Sequence, residues 1–170
     1  MFPVIKSFVE EYVDLRKFLT EKSEISMVSV VDNHFKKIYL LSCASYYEME
    51  IKTIIKSLFE KQSQDERILS FVTNKAIERQ YHTYFDWKKS NINSFFGLFG
   101  ESFKNVMMEK IKENDDLSSQ IKAFLDIGEE RNKMVHENFL DYKLEKTFDE
   151  INELNREATK FIEYLKIVLI

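Results

Sequence analysis

The stretch "EERNKMVHENF", from Glu129 to Phe139, places an arginine, an asparagine and a histidine among the apolar residues that a packed helix needs. Asn132 and His136 are four residues apart, so on a helix they lie one above the other. Arg131 lies about 100° round the helix from Asn132, and its side chain is long enough to reach toward Asn132 and His136. The three side chains can therefore converge on one anion. The alternative is a solvated helix end, where the helix dipole favours basic residues.

Length and charge limit the classes of protein to which the chain can belong. The 170 residues are 44% hydrophobic and 32% charged, with a formal net charge of -4. We therefore expect a single domain over residues 1–170, large enough to bury a core. No apolar run approaches the roughly eighteen residues of a membrane-spanning helix, so no membrane partner is expected. The acidic balance argues against a broad basic face that coats nucleic acid, but it permits a small local site.

The start of the chain and its cysteine content indicate a compartment. Acids and a lysine interrupt "MFPVIKSFVEEY" where a signal peptide would be apolar. Cys43 is the only cysteine, so no internal disulfide can form, and we expect it to be a small buried core residue. These features predict a cytoplasmic protein.

Apolar spacing predicts helices throughout the chain. Three glycines and one proline are too few for the turns of a sheet protein. The fold class predicted is all-α, an antiparallel up-and-down helical bundle with a short helical insertion. Capping boxes are predicted at Ser63 with Glu66 and at Thr147 with Glu150. The predicted helices span 4–19 and 28–59, followed by one that runs from the Ser63 cap to about residue 84 and one over 102–112. The next is capped by Asp115 or Asp116 and ends in the stretch 129–139, and the last spans 148–169.

Three segments carry a resemblance to a known family. Arg131, Asn132 and His136, near the end of a bundle helix, resemble the Arg-x4-His motif of HEPN domains, in which a polar residue commonly follows the arginine. The segment "CASYYEMEIKTIIKSL" (43–58) is similar to the aromatic-Glu helix of the RiboL-PSP-HEPN branch. The segment "WKKSNINSFFGLFGESF" (87–103) is similar to its Asn-containing turn and Leu-Phe-Gly stretch. The resemblance covers roughly residues 35–169 and indicates this branch or a near relative.

The resemblance implies a metal-independent endoribonuclease without a cofactor, active as a homodimer whose two motifs face each other. RNA supplies the nucleophile, its 2′-hydroxyl, and the products would be a 2′,3′-cyclic phosphate and a 5′-hydroxyl. His136 is the predicted acid or base, since an imidazole exchanges protons near neutral pH. Arg131 would neutralise the phosphate, and Asn132 would orient the imidazole or the phosphate. Lys133 of each chain would add positive charge.

Other noticeable residues receive structural interpretations. Glu48 matches the family's helix-borne glutamate, and we expect it to pair with Lys52, Arg131 or a backbone amide rather than to catalyse. His34 and His82 lack metal-ligand spacing, so they are predicted to be packed or surface histidines. The aromatic residues of "YHTYFDW" and "FFGLF" are interpreted as core or dimer interface rather than as base-stacking platforms.

Three functional hypotheses follow. The first is an RNA-cleaving toxin or defence effector, for which an antitoxin or a defence-system protein is a possible partner. The second is a non-catalytic HEPN-like module that binds RNA or a protein in the same cleft. The third is a helical dimerisation module in which the motif merely ends a bundle helix.

Overall fold

Helices account for most of the chain. The computed structural model describes residues 3–89 and 91–170, and in these ranges the only non-helical pairing is an isolated bridge between Asp86 and Asn91. A π-helical turn (Thr73–Ile77) follows α3, and a 3-10 turn (Trp87–Lys89) follows α4. The α-helices are α1 (Pro3–Glu21), α2 (Ile25–Gln62), α3 (Glu66–Val72), α4 (Tyr81–Tyr84), α5 (Asn93–Gly97), α6 (Glu101–Lys112), α7 (Asp115–His136) and α8 (Phe148–Leu169).

The long helices α1, α2, α7 and α8 form an up-and-down bundle. Helix α1 runs against α2, because Phe8 stacks on Tyr39 while the later Tyr12 donates to the earlier Asp32 at 2.8 Å. Helix α8 runs along α2, since Tyr39 donates to Asn152 and the later Tyr47 donates to Asn155. Helix α7, which precedes α8 in the chain, packs against both α2 and α8. The predicted all-α bundle is confirmed.

The insertion between α2 and α7 is anchored by aromatic rings. Phe85 lies 4.8 Å from Phe95 and 5.0 Å from Phe124 of α7, measured between ring centroids. Phe124 in turn contacts Phe161 of α8 at 5.3 Å. Buried residues of the bundle and of the insertion therefore belong to one apolar cluster, which fixes the insertion against α7.

A satisfied polar group lies inside this core. Asn155 has no exposed surface, and its amide donates to the Tyr39 hydroxyl at 3.1 Å while its oxygen accepts from Tyr47 at 2.6 Å. Buried amides are tolerated when such partners are present. Cys43 is fully buried nearby, as predicted, and burial raises the pKa of its thiol.

Two of the predicted helix starts are wrong. Ser63 caps no helix, because it lies just past α2, where its N–H donates to Phe59 at 2.9 Å. Helix α3 is capped by Asp65, which accepts from the Arg67 N–H at 2.9 Å. Helix α7 is capped by Asn114, one residue before the predicted Asp115. In each case the cap is the oxygen that reaches a free N–H two or three residues on.

The predicted cap of the last helix is confirmed. The Thr147 hydroxyl accepts from the Glu150 N–H at 3.2 Å, and the Glu150 carboxylate accepts from the Thr147 N–H at 2.7 Å. This capping box fixes the start of α8 directly after the loop that follows the opening motif.

The predicted continuous helix from the Ser63 cap to about residue 84 is wrong. Helix α3 ends at Val72, the π-helical turn follows, and Arg79 adopts a left-handed φ of 62° before α4 begins. The physical reason is that Tyr84 and Phe85 must both be buried, and the turn redirects the chain so that Phe85 meets α7. No described helix is both long and apolar enough to cross a membrane.

Candidate active site

Residues of the Arg-x4-His motif and Glu48 line one cavity. Arg131, Asn132 and His136 lie in the last two turns of α7, of which His136 is the final residue. Glu48 reaches the same space from the middle of α2. The cavity has a volume of about 460 Å³. The structure thus brings together four of the five predicted site residues, which come from two helices far apart in the sequence.

Arg131 and Asn132 are joined directly. An Arg131 Nη1 donates to the Asn132 side-chain oxygen at 3.0 Å, and both side chains are half-buried. Because a guanidinium has five donors in a plane, one bond to Asn132 orients the group and leaves other donors available. In this structure Asn132 therefore holds the guanidinium, a contact that the sequence prediction of an imidazole or phosphate partner did not include.

Glu48 pairs with Lys52, one of the three partners predicted for it. Its carboxylate lies 2.8 Å from the ammonium of Lys52, and the two side chains are 32% and 24% exposed. Tyr81 lies close by. Burial, and next the charge of Glu48, raise the pKa of the Tyr81 hydroxyl, whereas the charge of Arg131 lowers it. Tyr81 therefore stays protonated at neutral pH and can donate a hydrogen bond within the cavity.

Lys133 lies beside the cavity rather than in its lining. It faces a neighbouring cavity of about 690 Å³, which also borders Asn132 and His136. The Lys133 ammonium is 3.0 Å from Glu129 and 3.6 Å from Glu130, and its hydrogen bond with Glu129 raises its pKa. Since two carboxylates offset its charge, Lys133 adds little positive potential at the site.

The insertion adds residues to the cavity that the sequence prediction missed. Arg79, Tyr81, His82 and Trp87 all line the space that holds Arg131 and His136. His82 is exposed, as predicted for a surface histidine, but it shares the cavity with His136. Spacing along the chain could not have indicated this proximity, because it depends on how the insertion folds back on α7.

Trp87 attaches the insertion to the motif helix through Gly128. A Cβ added to Gly128 would lie no more than 2.8 Å from three carbon atoms of the Trp87 ring, so only glycine fits there. The Trp87 Nε1 also donates to the His82 carbonyl at 3.3 Å. Gly128 is four residues before Asn132, hence one helical turn away. Trp87 therefore sets the distance between the insertion and the motif.

Two lysines of α2 hold the loop that follows the motif. Lys37 is only 2% exposed, and its ammonium donates to the carbonyls of Phe139 at 3.0 Å and of Leu140 at 3.2 Å. Lys36 donates to the Leu144 carbonyl at 2.6 Å. Because this loop begins directly after His136, the contacts restrain the C-terminal end of α7.

Basic groups dominate the cavity although the chain is acidic overall. Two arginines and two histidines line it, while its carboxylate, Glu48, is already paired with Lys52. Such a lining suits an anion, and the arginines can donate to phosphate oxygens. In residues 3–89 and 91–170 no group of three or more His, Cys, Asp or Glu side chains is placed to hold a metal ion.

These features define a class: an all-helical bundle in which an Arg-x4-His motif at the end of one helix lines a cavity rich in basic side chains. The sequence matches the family RiboL-PSP-HEPN over residues 6–170, and the chain belongs to this family. The match selects that branch over the near relatives left open by the motif. No curated protein and no solved structure matches the chain.

Proposed function

We propose that the protein is a metal-independent endoribonuclease that cleaves RNA in the cavity formed by Glu48, Arg131, Asn132 and His136. The observation that carries the proposal is the convergence of Arg131 and His136 on one cavity of about 460 Å³ whose free charges are mainly basic. Family membership adds to it, since the motif is the one by which HEPN domains are recognised.

The chemistry required is small, because RNA carries its own nucleophile. The 2′-hydroxyl oxygen attacks the adjacent phosphorus, the bond to the 5′ oxygen breaks, and one proton moves from the former oxygen while another reaches the latter. His136 serves one of these transfers. Arg131, oriented by Asn132, stabilises the charge that develops on the phosphoryl oxygens. The protonated Tyr81 hydroxyl is a further neutral donor beside them.

We also propose that the active form is a homodimer in which the two cavities face one cleft, as the resemblance to HEPN domains implies. Sedimentation analysis tests this part separately, and a monomer that cleaves RNA at full rate would refute it.

The test of activity is cleavage of a labelled RNA in EDTA by wild type, His136→Ala and Arg131→Ala. We expect each substitution to slow cleavage by about 100- to 10,000-fold, the usual size of acid–base and charge-stabilising contributions. His34→Ala and Arg156→Ala are matched controls, since His34 bonds the carbonyl of Val30 on α2 and Arg156 pairs with Glu153 on α8. Both controls should cleave like wild type.

The products identify the chemistry. They should end in a 2′,3′-cyclic phosphate and a 5′-hydroxyl, and a single 2′-deoxy substitution at the cleaved position should block the cut. Binding of RNA without any product would instead favour the non-catalytic alternative. We further propose a role as a toxin or defence effector, in which case expression should arrest growth of host cells only when Arg131 and His136 are intact.

A further inference from the structure

The cavity contains a second arginine–histidine pair from a different part of the chain. Arg79 and His82, which flank the start of α4, line the same space as Arg131 and His136. The third histidine, His34, lies fourteen residues before Glu48 on α2, which is about 20 Å along a helix. Two of the three histidines of the chain therefore meet in one cavity.

The insertion holds this second pair in a defined place. The Trp87 Nε1 donates to the His82 carbonyl, and the Trp87 ring packs where Gly128 leaves room on α7. The Tyr81 ring, adjacent to His82 in sequence, lies 5.8 Å from the Trp87 ring. The backbone that bears His82 is thus attached to the same helix that ends in His136.

Arg79 occupies a backbone conformation that is costly for any residue with a Cβ atom. Its φ is 62°, in the left-handed region, where a non-glycine residue loses about 1–2 kcal/mol. Strain of this kind is concentrated at functional sites. Here the strained turn places Arg79, a residue of the insertion, in the lining of the cavity that Arg131 also lines.

We propose that His82 is the second proton-transfer residue of the reaction and that Arg79 is a second cation for the scissile phosphate. This inference rests on the proposed function and deepens it. One chain then supplies both imidazoles that the reaction needs, and the partner chain is not required to complete them.

The reaction balances with this pair. A neutral imidazole, from one of His136 and His82, accepts the proton of the 2′-hydroxyl as its oxygen bonds to phosphorus. The imidazolium of the other gives its proton to the 5′ oxygen as the bond from phosphorus to that oxygen breaks. The cyclic phosphate and the 5′-hydroxyl leave, and exchange with water restores both imidazoles. Dimerisation then aligns two complete sites on one cleft.

A leaving-group experiment tests the role of His82. The cleaved position in a short RNA is first mapped with wild type, and the 5′ oxygen at that position is then replaced by sulfur, which leaves as a thiolate without protonation. We expect His82→Ala and His136→Ala each to slow cleavage of the all-oxygen RNA by about 100- to 10,000-fold. With the sulfur substrate, one of the two variants should recover most of its activity, because its missing group is the acid.

The outcomes separate this inference from the proposed function. If wild type cleaves and His136→Ala does not, but His82→Ala cleaves like the His34→Ala control, the role of His82 is refuted while the proposed function stands. Equal loss on both substrates by both variants would also overturn it, since His82 would then only bind RNA. If wild type leaves RNA intact, both proposals fail. Because His82 is exposed, a folding defect is not expected, and His82→Gln checks it.

A mixing experiment tests whether the pair belongs to one chain. His82→Ala and His136→Ala chains are mixed after mild unfolding, so that mixed dimers form on refolding. No chain in the mixture has both histidines, so we expect no gain over the separate variants. Restored activity would place the two imidazoles of a site on different chains and would overturn the assignment to one chain.

Discussion

Replacing Gly128 by alanine should leave the stability of the protein unchanged or lower it by up to about 2 kcal/mol, whereas this change usually stabilises a helix. Gly128 lies in the interior of α7, where alanine normally stabilises by about 1 kcal/mol because glycine loses more backbone freedom on folding. At this position the added methyl group would overlap three carbon atoms of the Trp87 ring. Forcing an extra carbon into a packed site costs about 1–3 kcal/mol, so the clash offsets or exceeds the propensity gain.

A double-mutant cycle isolates the clash. In a Trp87→Leu background the ring carbons are gone, so Gly128→Ala should stabilise by about 1 kcal/mol, as in an ordinary helix. The propensity term is the same in both backgrounds and cancels. The coupling between the two substitutions should therefore equal the clash itself, about 1–3 kcal/mol.

The assay is equilibrium unfolding in urea, read by far-ultraviolet circular dichroism. Gly97→Ala is the matched control, because its Cβ would meet only Lys104, at an ordinary 3.9 Å, and its free energy of unfolding should stay the same or rise. RNA cleavage by Gly128→Ala should also fall, since a displaced Trp87 no longer holds the His82 backbone. The packing argument would be refuted if Gly128→Ala raised the free energy of unfolding of the wild-type protein as much as it raises that of the Trp87→Leu variant.

Two further predictions concern residues around the cavity. Arg79→Gly should leave stability equal or up to about 1 kcal/mol higher in urea unfolding, because glycine accepts the left-handed φ, while RNA binding weakens through loss of the guanidinium. Tighter RNA binding by this variant would contradict the assignment of Arg79. Lys37→Met should lower the free energy of unfolding by about 1.5–3 kcal/mol through the loss of two charge-assisted bonds to the loop after α7. An unchanged midpoint would show that these bonds do not hold the loop.

Because Arg79 and His82 line the cavity of the motif, the insertion contributes to the proposed site. Residues 66–112 could be taken as an appendage to the bundle, since they contain the shortest helices. Their aromatic rings instead bind the segment to α7, and Arg79 and His82 line the same cavity as Arg131 and His136. Packing of the insertion on α7, by Phe85 on Phe124 and by Trp87 on Gly128, therefore ties the stability of the insertion to the geometry of the proposed site.

The sequence by itself determined the features that depend on residues close together along the chain. Helical spacing predicted the bundle, and the Thr147 and Glu150 side chains predicted the start of α8. Lys52, one turn after Glu48, was one of three partners predicted for that carboxylate, and the structure shows the pair. Asn132 and His136 are four residues apart on one helix, so their position on one face also followed from local geometry. Interactions across three or four residues are set by the helix repeat alone.

Only the tertiary structure decided which other residues join them. The break after Val72 and the left-handed turn at Arg79 could not be foreseen, because their cause is the burial of Phe85 against α7 rather than a local signal. That same packing carries His82 into the cavity of His136, although nothing in their spacing relates the two residues. Side chains from distant segments converge only where the core fixes the path of the chain, and a pattern read along the sequence does not contain that path.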